Sequence, residues 1–236
     1  MPKPKKSLKK NKETRSHKRS SSAEAITSST SITRQNTTKW FPWLLFALAF
    51  VLYANTLKHE YTQDDAIVIY DNMFTQEGVS GIPGILSNDT FFGFFKEEGK
   101  AKLVAGGRYR PLTQIMYAIE WQLFGKSPFI GHFINVLMYG LLGFMLYKML
   151  VLMLLGPNKA GQKEEKVKLY ILIACLLYIA HPIHTEAVAN IKGRDEIMSM
   201  LGAIIAVWAS LKYKYTNATK WNICLLYTSP SPRDRG

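Results

Sequence analysis

The sequence predicts an all-α membrane protein: a helical bundle with four spans in this chain and a folded outer-face loop after the first. Three observations carry that expectation. The 236 residues are 47% hydrophobic, and the apolar residues are gathered into blocks rather than spread as in a soluble domain. The basic residues collect in alternate connecting segments. The longest connection, 58–128, carries an aromatic run (Phe91, Phe92, Phe94, Phe95) and an amphipathic stretch, Leu112–Phe124, as short helices lying on a membrane would.

Residues 1–39 come first. They hold eleven Lys and Arg against Glu13 and Glu24, which supplies +9 of the net +13. Almost no large apolar side chain interrupts them, so the segment reads as a disordered basic cytoplasmic tail. A basic tail could also attract nucleic acid, but the adjoining span makes a topology anchor the better reading, with no nucleic-acid partner. A cleavable signal peptide does not fit: the charged region is too long, and no small-residue cleavage pattern follows the span.

The spans are expected at about 40–57, 129–155, 167–181 and 197–211. Trp40 and Trp43 suit the interface of the first. The second exceeds one bilayer thickness and must tilt or begin outside the hydrocarbon. The third is short and ends at the His181-Pro182 corner. With the N-terminus inside, segment 156–168 carries four Lys against two Glu, and 212–221 carries three Lys and no acid. Segment 58–128 has seven basic residues against nine acidic, and 182–196 has two against three. The inside is basic and the outside mildly acidic, as the positive-inside rule requires.

The outer segments hold the residues with chemistry. Asp64 and Asp65 stand just beyond the first span. There a carboxylate pair could accept a proton, bind a metal or meet a substrate whose tail stays in lipid. Arg108 and Arg110 precede Pro111, a residue suited to the first turn of a helix. Guanidinium groups near a membrane surface suit bidentate phosphate recognition or bulk headgroups. His132, Asn135 and Tyr139 fall on one face of the second span, for interhelical hydrogen bonds or for substrate. His181-x-x-His184-x-Glu186 has metal-like composition, but Pro182 argues against a regular helical histidine pair, so no metal site is assigned and a divalent ion is a minor alternative. Cys175 and Cys224 build neither a disulfide framework nor a cysteine metal site. No nucleophile elbow, phosphate-binding Gly-Lys loop or dinucleotide fingerprint occurs. Asn88-Asp89-Thr90 is a glycosylation sequon, meaningful only in a eukaryote.

In order, these motifs resemble a known family. They are Tyr61-Thr62-Gln63-Asp64-Asp65; Asn88-Asp89 with Phe91-Phe92-Gly93; Tyr109-Arg110-Pro111-Leu112; His132-Phe133-Ile134-Asn135-Val136; and His181-Pro182-Ile183-His184-Thr185-Glu186-Ala187-Val188-Ala189 with Gly193-Arg194-Asp195. Over about residues 40–212 the chain resembles the membrane portion of the tetratricopeptide-repeat-containing O-mannosyltransferases and their bacterial relatives, which are similar to the wider GT-C group of lipid-linked sugar transferases. The family's Trp-Gly after the loop acid appears here as Phe92-Gly93.

The resemblance implies transfer of a sugar, with mannose as the family's case, from a polyprenyl-phosphate carrier to a protein or other hydroxyl acceptor. It implies membrane lipid and a lipid-linked donor as partners, and no cofactor beyond that donor. Asp64 or Asp65 would be the general base, and Arg108 and Arg110 would stabilise the leaving phosphate. Asp89, His132, His184, Glu186 and Arg194 would line the same pocket. The resemblance places such a protein in the bacterial inner membrane, with the endoplasmic reticulum as the alternative. Further spans and a repeat array would follow. Residues 224–236, Cys224 through the Ser-Pro-Ser-Pro-Arg run, resemble a translated transposon adapter, so native sequence is expected to stop near Ile223. Two other functions fit parts of the pattern: a non-catalytic membrane anchor for a repeat scaffold, and a transporter using the carboxylates for proton coupling. Coupling acids belong near mid-membrane, and Asp64 and Asp65 lie at its edge.

Overall fold

A computed structural model describes residues 38–62, 64–96, 109–157 and 162–216. Most of the basic tail, Gln63, Arg108, Cys224 and the segment 224–236 lie outside the described residues. The chain divides into two units, 1–41 and 42–236. Of the first, Thr38–Trp40 forms a single 3-10 turn. The buried clusters and the candidate site described below lie in the second.

All regular structure among the described residues is helical. Helix α1 (Phe41–Tyr53) continues as a 3-10 segment, Ala54–Lys58. Asp65 then leads into a π-helical turn, Ala66–Tyr70. Three short helices follow: α2 (Met73–Gln76), α3 (Ile82–Ser87) and α4 (Thr90–Phe95). The longer elements are α5 (Pro111–Phe124), α6 (Pro128–Leu155) and α7 (Gln162–Ile179). A 3-10 turn, Pro182–His184, leads to α8 (Thr185–Ala189), and a second, Ile191–Gly193, leads to α9 (Arg194–Thr216).

Among the described residues, three stretches are long and apolar enough to cross a bilayer: Thr38–Lys58, Pro128–Leu155 and Ile191–Thr216. A fourth span exists if Glu164–Ile179 and Pro182–Ala189 are one span bent by 50°. The protein is therefore a multi-pass, all-helical membrane protein. The helix that holds the expected third span, 167–181, has different ends, Gln162 and Ile179. Helix α7 begins five residues earlier because a Glu164–Lys168 ion pair at i,i+4 supports its polar first turns. It stops at Ile179, because the ring of Pro182 cannot continue a helix. The helix that holds the expected fourth span, 197–211, runs from Arg194 to Thr216, and the buried Arg194 belongs to its first turn.

Helix α6 is the centre of the bundle and packs against α9, α7 and the end of α1. Close approach is built into it. A Cβ at Gly131 would lie 2.7 Å from Ile191 Cδ1, so glycine lets the turn before α9 seat against α6 without moving that side chain.

The segment after the first span has its own small core. Val68, Ile69, Tyr117 and Ile191 form one buried cluster, and Phe74, Ile85 and Ala118 another. Helix α5 supplies a residue to each. Its buried positions include Thr113, Gln114 and Tyr117, while Leu112, Ile119 and Leu123 are exposed. This polarity is inverted relative to a helix in water and suits a helix touching lipid. Pro111 occupies the first turn, as the sequence suggests.

Candidate functional site

The site is assembled where the loop after the first span meets the turn before the last one. Asp65 is fully buried. Its Oδ2 accepts from the Thr62 backbone N–H at 2.8 Å and from Thr62 Oγ1 at 3.0 Å. Its Oδ1 accepts from the Lys192 backbone N–H at 2.8 Å. Asn190 Oδ1 accepts from the Lys192 N–H at 3.2 Å and lies 3.2 Å from Thr62 Oγ1, whose one proton is shared between Asn190 and Asp65, so the contacts link segments 128 positions apart in sequence.

Asp64 is placed differently. Its side chain is 54% exposed, and its Oδ2 accepts from Lys192 Nζ at 2.6 Å. It lines a polar cleft of about 140 Å³ together with Glu186, Asn190, Lys192, Asp195 and Glu196. Adjacent in sequence, the two acids thus have separate tasks. One is tied down by amides and a hydroxyl; the other faces open space.

The turn carrying Lys192 is held from its far side by Arg194, which is fully buried. Arg194 Nε donates to Asn135 Oδ1 at 2.8 Å, and Nη2 donates to the Gly131 carbonyl at 3.1 Å. Both terminal nitrogens reach the Glu120 carboxylate, and the guanidinium stacks 4.6 Å from the Tyr117 ring centroid. Burial raises the Glu120 pKa above the ordinary carboxylate value, with Arg194 opposing it. Burial, with the Asp65 charge second, pushes the Tyr61 hydroxyl up to about 12. Asn135 also donates to the carbonyls of Asn190 and Ile191, and Tyr117 OH donates to the Ile191 carbonyl.

The structure brings Asp64, Asp65, Glu186 and Arg110 to this corner. Arg110 pairs with Asp195. A second, small cavity of about 10 Å³ lies beside the first, lined by Arg110, Gln114, Lys192 and Asp195 among others. Arg194 is present but buried, serving the protein rather than the cleft. Asp89 caps α4 by accepting from the Phe91 N–H at 2.7 Å. His132 is buried on α6, 6.1 Å from the His59 ring, with neither ring nitrogen in good hydrogen-bond geometry. On the same face Tyr139 OH donates to the Ile179 carbonyl, so Asn135 and Tyr139 bind helices together. His184 packs 4.4 Å from the Tyr178 ring, and His181 Nδ1 accepts from the Ile183 N–H. Among the described residues, no three His, Cys, Asp or Glu side chains gather as a metal-binding group.

Glu120, Asn190, Lys192 and Asp195 are the site residues that sequence reasoning missed as such. Asp195 stands in the Gly193-Arg194-Asp195 motif, which was the available signal. Nothing local marks the other three.

The class defined by fold and site is a polytopic helical membrane protein with an acidic, lysine-bridged cleft at one end of the bundle. The chain is a partial match to the protein O-mannosyl-transferases, the family its motifs resemble. It is 31% identical over 163 residues to protein O-mannosyl-transferase TMTC1 of Homo sapiens, covering 69% of this chain and 17% of the relative. It is 30% identical over 160 residues to Tmtc1 of Drosophila melanogaster, covering 68% and 17%. It is 29% identical over 185 residues to tmtc2 of Xenopus laevis, covering 75% and 20%. The chain therefore spans under a quarter of the length of these relatives. No protein-family model matches, and no solved structure matches.

Proposed function

We propose that the full-length protein is a GT-C-like glycosyltransferase that moves a sugar, mannose by relationship, from a polyprenyl-phosphate carrier to a protein hydroxyl. The observation that carries this reading is Asp64: a half-exposed carboxylate in a polar cleft at the end of a membrane bundle, beside a buried acid that fixes its loop. Asp64 takes the proton of the acceptor hydroxyl as the hydroxyl oxygen bonds to the sugar's anomeric carbon. The bond from that carbon to the phosphate oxygen breaks, and polyprenyl phosphate leaves with the electron pair. Asp65 is the positioning acid rather than the base. Arg110 is the described cation nearest to the task assigned to Arg108 and Arg110 from sequence, and Glu186 shares the cleft with Asp64. The exposed apolar face of α5 suits contact with lipid. The relatives named above are animal proteins, so the bacterial inner membrane loses its preference and the endoplasmic-reticulum membrane is the proposed location.

The test is transfer of radiolabelled mannose from a polyprenyl-phosphate donor in membranes holding the full-length protein. Asp64→Asn should lower transfer by about 100-fold or more, the scale of a lost general base. Near-normal transfer by Asp64→Asn would remove the base assignment. Absence of transfer by the unmutated protein with every sugar donor would favour a non-catalytic anchor.

A further inference from the structure

Resting on that reading, we propose that Lys192, Gln114 and Arg110 form an oxyanion subsite for a phosphate monoester or diester, in which Lys192 exchanges Asp64 for the incoming oxyanion. Three independent observations meet here. First, Gln114 is 3% exposed, and its Nε2 has no hydrogen-bond partner, while its Oε1 accepts from Thr90 Oγ1 at 3.1 Å. Turning the amide over does not cure this, because Thr90 Oγ1 would still engage only one end. A buried amide donor left unmatched is costly, so an arrangement that keeps one points to a ligand that completes it.

Second, Gln114 lines the small cavity of about 10 Å³, together with Arg110, Lys192 and Asp195. That volume is close to the least that holds one water or one oxygen atom. It shares two lining residues with the larger cleft, Lys192 and Asp195. One phosphate oxygen fits the small cavity while the rest of the group lies toward the cleft that Asp64 lines. Base and leaving group then reach the reacting carbon from different cavities, with Lys192 between them.

Third, each cation at this place is held by one carboxylate, and each pair has one solvent-exposed member. Lys192, 18% exposed, pairs with a 54% exposed Asp64, and Arg110, 45% exposed, pairs with a 12% exposed Asp195. The exposed member of each pair is screened by solvent, whereas a phosphate offers several charge-assisted hydrogen bonds at once. Lys192 can turn its ammonium group without disturbing Asp65, because Asp65 is held by the Lys192 main chain. Arrival of the phosphate would thereby release the Asp64 carboxylate for the acceptor hydroxyl.

The experiment measures binding to the full-length protein in detergent, by tryptophan fluorescence, and needs no transfer activity. The probes are a polyprenyl monophosphate, the matching polyprenol, inorganic phosphate and phosphatidic acid. The monophosphate should bind and the polyprenol should not, with phosphatidic acid a poor competitor. Lys192→Met and Gln114→Leu should each raise the dissociation constant by roughly tenfold, the scale of one lost charge-assisted hydrogen bond. Lys192→Arg should restore most of it. Gln114→Leu removes no charge, and circular dichroism identifies any variant that has lost its helices. Absence of monophosphate binding, equal binding of polyprenol, or unchanged affinity in both variants overturns the subsite. Equal competition by phosphatidic acid overturns it as a carrier site and leaves a general headgroup contact. Equal competition by inorganic phosphate overturns any role for the lipid tail. None of these results changes the expected loss of transfer in Asp64→Asn, so the two readings fail separately.

Discussion

Asp65 and Lys192 stand 127 positions apart, yet the main-chain N–H of Lys192 donates to Asp65 Oδ1 at 2.8 Å. Because the donor is backbone, no substitution at position 192 other than proline removes it. Asp65→Asn does remove the match, by presenting an amide N–H₂ to one of the donors now satisfied. A hydrogen bond to a charged, buried acceptor contributes about 1.5–3 kcal/mol. Thermal unfolding in detergent should show Asp65→Asn destabilised by that order and Asp64→Asn hardly changed. Equal melting temperatures for the two variants would count against the division of labour between the acids.

The buried Arg194–Glu120 pair gives an asymmetric expectation. Glu120→Leu leaves a guanidinium in the interior that cannot shed its proton, which costs about 3–5 kcal/mol. Arg194→Met leaves Glu120, whose pKa burial already raises, and this acid escapes by taking a proton. A carboxyl with a folded pKa above its unfolded value holds its proton more tightly when folded. Its contribution is therefore fully present below the unfolded carboxylate range and lost as pH rises through the raised folded value. Arg194→Met should lose stability steadily across that window, while Glu120→Leu should be unstable throughout it. Melting curves over a pH series read both, and parallel curves would show that Glu120 does not titrate as described.

The spans, the start of α5 at Pro111 and the shared face of Asn135 and Tyr139 were legible because each is a local pattern: hydropathy, a fixed φ, a helical period. The start of α7 was hidden because its first turns carry Glu164, Glu165, Lys166 and Lys168, which a hydropathy reading assigns to the loop. The site was legible only as a set of motifs. An arginine near a membrane surface reads as a phosphate contact, and nothing near Arg194 in sequence reveals that Glu120, 74 positions earlier, holds it. His181 and His184 read as metal-like, while in the fold one caps a turn and the other packs on Tyr178. The separate tasks of Asp64 and Asp65 depend on contacts more than 120 residues distant, which no local signal encodes.

Gly193 tests the turn that joins these parts. A Cβ there would lie 2.4 Å from the Ala187 carbonyl oxygen and 2.7 Å from Ala187 Cα, both backbone atoms that cannot swing aside. Gly193→Ala should push the turn Ile191–Gly193 away from α8, loosening the Lys192 contact with Asp65. The expected cost is about 1–3 kcal/mol, the usual scale of overpacking. Backbone amide hydrogen exchange at Lys192 should accelerate relative to the helices of the bundle. Unchanged protection at Lys192 would show that the turn absorbs the methyl group elsewhere.

The sidedness of the site is the last expectation, and it follows from charge. Segments 156–168 and 212–221 carry seven Lys against two Glu between them, while 58–128 and 182–196 carry nine basic residues against twelve acidic. Basic connections stay on the cytoplasmic side, which puts the Asp64 cleft on the opposite one. Ser80 is exposed on the cleft side, and Lys214 is exposed near the far end of α9. The native Cys175 is buried in α7, so replacing Cys224 by Ser leaves a quiet background for labelling. A membrane-impermeant thiol reagent reaches the cytoplasmic side when only the plasma membrane of a cell is opened. Under those conditions Lys214→Cys should react and Ser80→Cys should be protected until the internal membranes are dissolved. The reverse order would place the cleft in the cytoplasm. It would overturn the sidedness argued here from charge, whatever the chemistry of Asp64.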